Sequence, residues 1–212
     1  MMTGPNHISI ELISDATFGS GEGTPGEVDV EVEHDNLGLP YLGGKALHGL
    51  LRDTWLSMAP FFTHLAPAAV QVLGPSADLT ETSILGIGDA VLDGDTRAWV
   101  HFAVQRKRST IRSRDILHAL TDIRYQTRED RATGGPAKTT LRSSRVILRG
   151  LRLEAPLRWL LQPEPEQVRV LALAALGTRQ AGLGRNRGRG HLALALDGDA
   201  GRTRLVANGG DW

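Results

Sequence analysis

The chain has 212 residues, 41% of them hydrophobic and 23% charged, so it is long enough to bury a core as one domain over residues 1–212. It contains no cysteine, which excludes disulfides and thiolate metal sites, and no apolar run long enough to cross a bilayer. The first residues lack the basic start and apolar core of a signal peptide, so we expect a cytoplasmic protein with no membrane partner.

The 24 basic and 24 acidic residues balance overall but are segregated along the chain. Residues 1–96 carry 2 basic against 14 acidic side chains, whereas residues 97–152 carry 14 against 4. Two interpretations stay open: a basic surface on an acidic body, or the acidic part of one copy docking on the basic part of the next.

The periodicity of apolar residues predicts an α+β fold. Strands are predicted at 7–13, 84–92, 97–105, 146–154 and 191–196, and helices at 45–58 and 164–176. The strands at 84–92 and 97–105 would form a hairpin around Asp93-Gly94-Asp95. Residues 59–83 form a mixed connection with room for a short helix, and residues 106–145 form a long basic insertion. With a long insertion, these elements indicate the β-α-β-β-α-β order of the ferredoxin-like (RRM-like) fold, which has one strand fewer than the five predicted.

A glycine-rich acidic loop spans residues 19–38, and in it carboxylates alternate with other side chains at Glu27, Asp29, Glu31, Glu33 and Asp35. Hard divalent cations such as Mg²⁺ prefer carboxylate oxygens, so one or two of these residues beside a phosphodiester would recruit an ion. A carboxylate can also act as a general base on a 2′-hydroxyl. The alternative is a solvated acidic edge strand.

The predicted helix 45–58 carries a polar stripe of Lys45, His48 and Arg52 beside its apolar face. Such a stripe at a helix N-terminus can bind an anion, although any surface helix has a polar face. Gly44-Lys45 does not belong to a P-loop, because the first glycine of that motif would fall on Leu39 and its hydroxyl on Ala46. Neither a helical zinc-binding histidine pair nor a serine-hydrolase elbow occurs in the sequence.

Basic side chains are concentrated in two further segments. The insertion carries Arg124, Arg128 and Arg131 among its cations, with Tyr125 as a stacking candidate. The closing loop 182–190 reads GLGRNRGRG, and its three arginines are interleaved with glycines. Glycine lets a backbone approach an anionic chain and arginine supplies bidentate donors, so these segments together favour nucleic acid over a solvated surface or a flexible connection.

Several segments resemble the RAMP superfamily of CRISPR-associated proteins. The loop 182–190 is similar to that family's glycine-rich loop. Residues 39–52, LPYLGGKALHGLLR, are similar to its L-P-x-x-P-G-S-S-L-K-G-x-x-R motif, and residues 83–92, SILGIGDAVL, to S-x-L-x-x-x-D-A-x-L. Residues 129–134, EDRATG, are close to I-D-R-x-T-G. Within the superfamily, the pattern is most similar to the repeating backbone subunit of type III CRISPR interference complexes.

The resemblance implies a ferredoxin-like core, a basic thumb, stacking of copies along a guide RNA with other effector subunits, and cleavage of bound target RNA by a loop aspartate with a divalent metal, Mg²⁺ or Mn²⁺. By position, Asp29 is the implied catalytic and metal-binding residue, with Asp35 as the alternative. The implied RNA contacts lie on the helix, the insertion and the closing loop: Lys45, His48, Arg52, Arg124, Arg128, Arg131, Gly184, Arg185, Arg187, Gly188 and Arg189.

This chain differs from the family pattern at three places. Gly43-Gly44-Lys45-Ala46 replaces P-G-S-S, His48 replaces a lysine, and Arg145 stands where relatives often carry an acidic residue. Two other functions therefore stay open. One is a structural guide-binding subunit without nuclease activity, and the other is a guide-processing endoribonuclease that uses His34 or His48 without metal.

Overall fold

A computed structural model describes residues 4–75, 83–106, 110–129, 132–135, 137 and 140–212. The strands of its core are β1 (His7–Leu12), β2 (Leu85–Ile87), β3 (Val91–Leu92), β6 (Arg152–Trp159) and β7 (Leu192–Leu196). They form an antiparallel sheet in the order β2-β6-β1-β7, with β3 also paired to β6. In chain order the four main strands are β1, β2, β6 and β7, with one long helix between β1 and β2 and another between β6 and β7. This is the β-α-β-β-α-β order. The ferredoxin-like fold is thereby confirmed.

The helices pack on one face of this sheet, where alternate strand residues such as Ile8, Ile10 and Leu153 are fully buried. The two long helices, α1 (Gly44–Met58) and α5 (Pro165–Gly177), form where the apolar periodicity predicted them. The remaining helices are α2 (Ala66–Leu73), α3 (Gly94–Gln105), α4 (Ser113–Leu120) and α6 (Ala200–Ala207). Helix α2 is the short helix expected in the 59–83 connection.

The predicted strand at 97–105 is wrong, because these residues form most of helix α3. Asp93 does not sit in a hairpin turn but caps the helix, accepting hydrogen bonds from the backbone N–H of Thr96 at 2.9 Å and from its hydroxyl at 2.7 Å. Only Val100 of this helix is fully buried. The alternating apolar residues therefore reflect a lightly packed surface helix.

The predicted strand at 146–154 is also divided. Its first part belongs to β5 (Arg142–Ile147), which pairs with β4 (Thr121–Gln126) in a separate two-stranded sheet. After a turn at Gly150, its second part begins β6, the third strand of the core. The insertion thus contains α4 and a β4–β5 hairpin. The hairpin forms a sheet of its own, separate from the core sheet.

Candidate functional site

An open cleft of about 630 Å³ is formed by three segments that are far apart in sequence. The acidic loop contributes carboxylates, α1 contributes its exposed face, and the glycine-rich loop closes one side. The lining residues of these segments include Glu22, Asp29, Glu33, Ala46, Gly49, Leu50, Asp53, Gly182, Leu183 and Arg185. The fold therefore brings Asp29 and Arg185 of the predicted site to one cavity.

Asp29 is held in place from the hairpin. Its Oδ2 accepts hydrogen bonds from the backbone N–H of Ser143 at 2.7 Å and from the Ser143 hydroxyl at 3.1 Å. These two bonds, the backbone one above all, hold the pKa of Asp29 below that of an ordinary aspartate. Among the described residues, Oδ1 accepts no hydrogen bond. Asp29 is thus an ionised carboxylate with one oxygen directed by protein donors and one available.

Asp35 has a different environment. Its Oδ1 accepts hydrogen bonds from the backbone N–H groups of Leu37 at 2.9 Å and Leu39 at 3.0 Å, an arrangement typical of an Asx turn. Its Oδ2 lies 3.3 Å from Arg97 of α3. Both oxygens are therefore engaged in holding the end of the acidic loop against the fold.

Glu27 and Glu31 are anchored to the hairpin through Arg145. The guanidinium of Arg145, only 2% exposed, donates from Nε to Glu31 at 2.7 Å and from Nη2 to Glu27 at 2.5 Å. Glu27 also lies 2.9 Å from both Arg114 and His118 of α4. The bonds from Arg145 and His118 lower the pKa of Glu27. These carboxylates stabilise the loop and leave Asp29, between them, at the surface.

The N-terminus of α1 already has an anionic partner. Gly44 donates its backbone N–H to Asp89 Oδ1 at 2.7 Å, so a carboxylate occupies the position where a free anion would bind. A Cβ on Gly44 would lie 2.4 Å from the carbonyl oxygen of Ile87, which explains why only glycine fits there. Lys45 follows it and is exposed.

The other two residues of the polar stripe on α1 face α2. Arg52 donates to the carbonyl of Pro75, just beyond the end of α2. His48 is half-buried, and burial together with the nearby charge of Arg52 lowers its pKa. Lys45 is therefore the exposed cation of the stripe, while His48 and Arg52 contact a neighbouring element.

The glycine-rich loop has a hydrogen-bonded conformation. Its centre is a 3-10 turn, Arg185–Arg187, flanked by Gly184 and Gly188 in the left-handed conformation. Hydrogen bonds tie the loop to the hairpin: Arg187 donates to Gln126 Oε1 at 2.5 Å, and Arg189 donates to Ser144 Oγ at 3.2 Å. Arg187 and Arg189 of the loop therefore lie against the hairpin.

The predicted cations of the insertion are distributed unevenly. Arg124 lies on β4 and makes ion pairs with Asp15 at 2.9 Å and Asp122 at 2.7 Å. Arg128 is exposed just beyond β4, where its backbone N–H binds Thr140. Arg131 lies outside the described residues. Part of the charge segregation is thus compensated within the chain, since acidic residues of the first 96 pair with cations of the middle segment.

Among the residues that the structure describes, no group of three or more His, Asp or Glu side chains is placed to hold a metal ion. Mg²⁺ keeps most of its water and often takes only one or two carboxylates together with phosphate oxygens. The free Oδ1 of Asp29 fits such a ligand, and RNA would have to supply further oxygens. Within the same ranges no helix is long and apolar enough to span a membrane.

The sequence profile of the RAMP superfamily matches residues 9–193. The chain belongs to the RAMP superfamily. This membership confirms the resemblance inferred from the motifs. No curated protein matches the sequence significantly.

Solved structures share the fold of this RAMP protein. A chain of the type III-B Cmr-beta cryo-EM structure in the apo state is 13% identical with a TM-score of 0.66, covering 92% of this chain and 98% of that one. A chain of type III-B Cmr-beta bound to cognate target RNA is 12% identical with a TM-score of 0.65 and coverage of 97% and 99%. A chain of a type IV-B CRISPR complex is 11% identical with a TM-score of 0.59 and coverage of 92% and 90%.

Several positions of the RAMP motifs prove to be structural. Leu39 and Leu47 of the first motif are buried in the core, and Asp89 of the second caps α1. Sequence reasoning missed Ser143, which contacts Asp29 across 114 residues. A serine in a polar segment carries no signal of this kind, because only the pairing of the loop with β5 brings the two together.

Proposed function

We propose that this RAMP protein is a backbone subunit of a type III CRISPR ribonucleoprotein, which binds guide RNA and cleaves complementary target RNA at Asp29. The cleft carries the proposal, because Asp29, the first part of the glycine-rich loop and the exposed face of α1 all line it. Superfamily membership and the shared fold support it. Its partners would be guide RNA, target RNA, further copies of this chain and other effector subunits.

The chemistry is attack by the 2′-hydroxyl of the target on the adjacent phosphorus. A P–O bond forms to the 2′-oxygen, the bond to the 5′-oxygen breaks, and the 2′-proton is transferred as the leaving oxygen gains one. Asp29 is well suited to stay ionised at neutral pH, so it can hold a cation or accept a hydrogen bond from the 2′-hydroxyl. A divalent metal, Mg²⁺ or Mn²⁺, would stabilise charge on the phosphoryl oxygens when bound.

Guide recognition needs contacts with the RNA backbone only, because base pairing reads the sequence. Lys45, exposed at the start of α1, supplies a cation next in sequence to Ala46, which lines the cleft. Arg185 lines the cleft from the loop, and Arg187 and Arg189 stand on the side of the hairpin. His48 and Arg52, facing α2, would act on RNA through the placement of α1.

The test is target cleavage by the assembled complex with Asp29→Asn, which removes the charge and keeps the shape. We expect cleavage to fall by a factor of at least about 100 while guide and target binding stay unchanged. Asp53→Asn is the matched control, since Asp53 lines the same cleft from α1. Cleavage by the Asp29 variant at the wild-type rate would contradict the proposal.

A structural subunit without nuclease activity is a second candidate. The pair of hydrogen bonds from Ser143 favours it, because a carboxylate that fastens a loop to a hairpin needs no catalytic role. In that case both aspartate variants would bind guide RNA and neither wild type nor variants would cut target. Cleavage that persists in EDTA and disappears in His34→Ala or His48→Ala would indicate a guide-processing endoribonuclease.

A further inference from the structure

Helix α3 presents two large aromatic side chains to solvent. Trp99 is 64% exposed and Phe102 is 66% exposed, whereas another face of the same helix carries the buried Val100. Aromatic side chains bury a large apolar area when they meet a partner, so two of them exposed on one helix face mark an interaction surface. The residues around them indicate which partner fits.

The exposed face of α3 carries a charge near each end. Asp95, Trp99, Phe102 and Arg106 follow one another at spacings of four, three and four residues, which aligns them in one straight stripe along a helix. Asp95 is exposed in the first turn, and Arg106 is exposed at the C-cap. Within the parts of the chain that the structure describes, neither charge has an ion-pair partner. The stripe is therefore aromatic in the middle, acidic at one end and basic at the other.

The stripe is complementary to itself. When two α3 helices lie antiparallel, with a two-fold axis through the centre of the stripe, Asp95 faces Arg106 of the second copy and Trp99 faces its Phe102. Two-fold symmetry repeats both contacts, so the pair contains two ion pairs and two aromatic contacts. A parallel pair would bring Asp95 against Asp95 and Arg106 against Arg106. The charges therefore select the antiparallel arrangement.

Small side chains flank the stripe. Ala98 and Ala103 lie on either side of it and mirror each other about the same two-fold axis. Ala98 is exposed and Ala103 is half-buried. Side chains of this size leave room beside the stripe for the aromatic rings of the second helix, which pack best when offset or edge to face.

We infer that α3 pairs antiparallel with α3 of a second copy of this chain about a two-fold axis. Such a contact uses the same surface on both copies and closes on itself, so it joins two copies side by side and cannot add copies one after another along an RNA. The inference therefore goes beyond the proposed function. Single-stranded RNA would also stack on Trp99 and Phe102, but Asp95 in the same stripe repels phosphate.

The test is sedimentation velocity of the full chain without RNA over a range of concentrations. Helix α3 has 12 residues and is about 18 Å long, so the pair buries less than a standard interface of about 1,600 Å² and should have a Kd of about 10–100 µM. Trp99→Ala should weaken association at least about tenfold. Phe61→Ala is the matched control, because Phe61 is 81% exposed outside α3, and it should associate as the wild type does. Thermal unfolding of both variants should match the wild type.

The two charges test the antiparallel arrangement. Asp95→Arg alone, or Arg106→Asp alone, places like charges opposite each other in both halves of the pair, so we expect each to weaken association about tenfold. The double variant Asp95→Arg/Arg106→Asp restores opposite charges and should recover most of the wild-type affinity. Circular dichroism of each variant checks that α3 is retained, because both substitutions also oppose the helix dipole.

Three results would overturn the inference. The first is a wild-type chain that stays monomeric across this range, and the second is a dimer that forms equally well in Trp99→Ala. The third is a double charge variant that associates no more tightly than the single variants, as a head-to-tail contact between different surfaces would give. If the wild type stays monomeric and Trp99→Ala weakens binding of a labelled single-stranded RNA, α3 is an RNA surface instead. Target cleavage by Asp29→Asn tests the proposed function independently of all these results.

Discussion

Arg145 of β5 donates from Nε to Glu31 of the acidic loop across 2.7 Å, in a position where its side chain is only 2% exposed. Burial disfavours the charge on Arg145, but the bonds to Glu27 and Glu31 outweigh burial and raise its pKa. This ion-pair cluster fastens the loop that carries Asp29 to the hairpin. The position of this acidic loop therefore depends on Arg145, a cation from the basic segment 97–152 of the same chain.

Removing this cation should strongly destabilise the fold. In Arg145→Ala the carboxylate of Glu31 stays largely buried without its partner, so we expect the free energy of unfolding to fall by about 3 kcal/mol or more. Urea denaturation followed by circular dichroism measures the difference. Arg142→Ala, an exposed arginine on the same strand, is the control and should change stability by less than about 0.5 kcal/mol. Equal effects of the two variants would contradict this role.

The pKa of Glu27 predicts acid sensitivity of the loop. Because its folded pKa lies below its unfolded value, Glu27 stabilises the fold above the unfolded pKa, and this contribution is lost as pH falls through the folded pKa. We expect Glu27→Gln to be less stable than wild type at neutral pH and to lose less stability on acidification to about pH 3. Melting temperatures across that range measure it. Parallel curves for the two proteins would contradict the prediction.

Ser143 should tune the ionisation of Asp29. Ser143→Ala removes the hydroxyl bond at 3.1 Å and keeps the stronger backbone N–H bond, so we expect the pKa of Asp29 to rise part of the way towards its ordinary value. Carboxyl-carbon NMR titration reads this directly, and Ser144→Ala is the neighbouring control. If Asp29 is catalytic, the acid limb of the cleavage profile should move to higher pH with it.

Two glycines of the closing loop should differ in their tolerance of alanine. Both Gly188 and Gly190 have φ of +73°, but a Cβ on Gly190 would lie 2.1 Å from the carbonyl oxygen of Ala181, whereas nothing lies within 4 Å of one on Gly188. Gly188→Ala should cost only the left-handed strain of about 1 kcal/mol. Gly190→Ala should lower the melting temperature clearly further, since the backbone must move. Equal shifts would show that the close approach is absent in solution.

Helix α3 should depend on its cap. Asp93→Ala removes both bonds to Thr96, so we expect a loss of about 1 kcal/mol of stability. Asp93→Asn keeps an accepting oxygen and should lie within about 0.5 kcal/mol of wild type. Chemical denaturation of the two variants measures the difference. A strand at 97–105 would make the two substitutions indistinguishable.

The sequence by itself determined the fold class and the position of the two long helices and of the first and last core strands. Helices α1 and α5 and strands β1 and β7 each carry an apolar periodicity that the core then buries, so local pattern and tertiary packing agree. The sequence predicts a strand in place of helix α3, because the apolar residues there alternate, whereas the cap and the single buried Val100 of this helix leave little periodic signal. The glycine-rich loop was located from composition alone.

Only the tertiary structure decided which charged residues are partners. Glu27, Asp29, Glu31 and Asp35 are indistinguishable as alternating carboxylates in the sequence. In the fold, Glu27 and Glu31 form ion pairs with Arg145, and Asp35 forms one with Arg97. Asp29 accepts hydrogen bonds from Ser143. The physical reason is distance along the chain, since contacts between residues as far apart as Asp35 and Arg97, or Glu27 and Arg145, depend on how the fold brings segments together and follow no spacing rule. The charge segregation that suggested docking between copies is therefore compensated in part within one molecule.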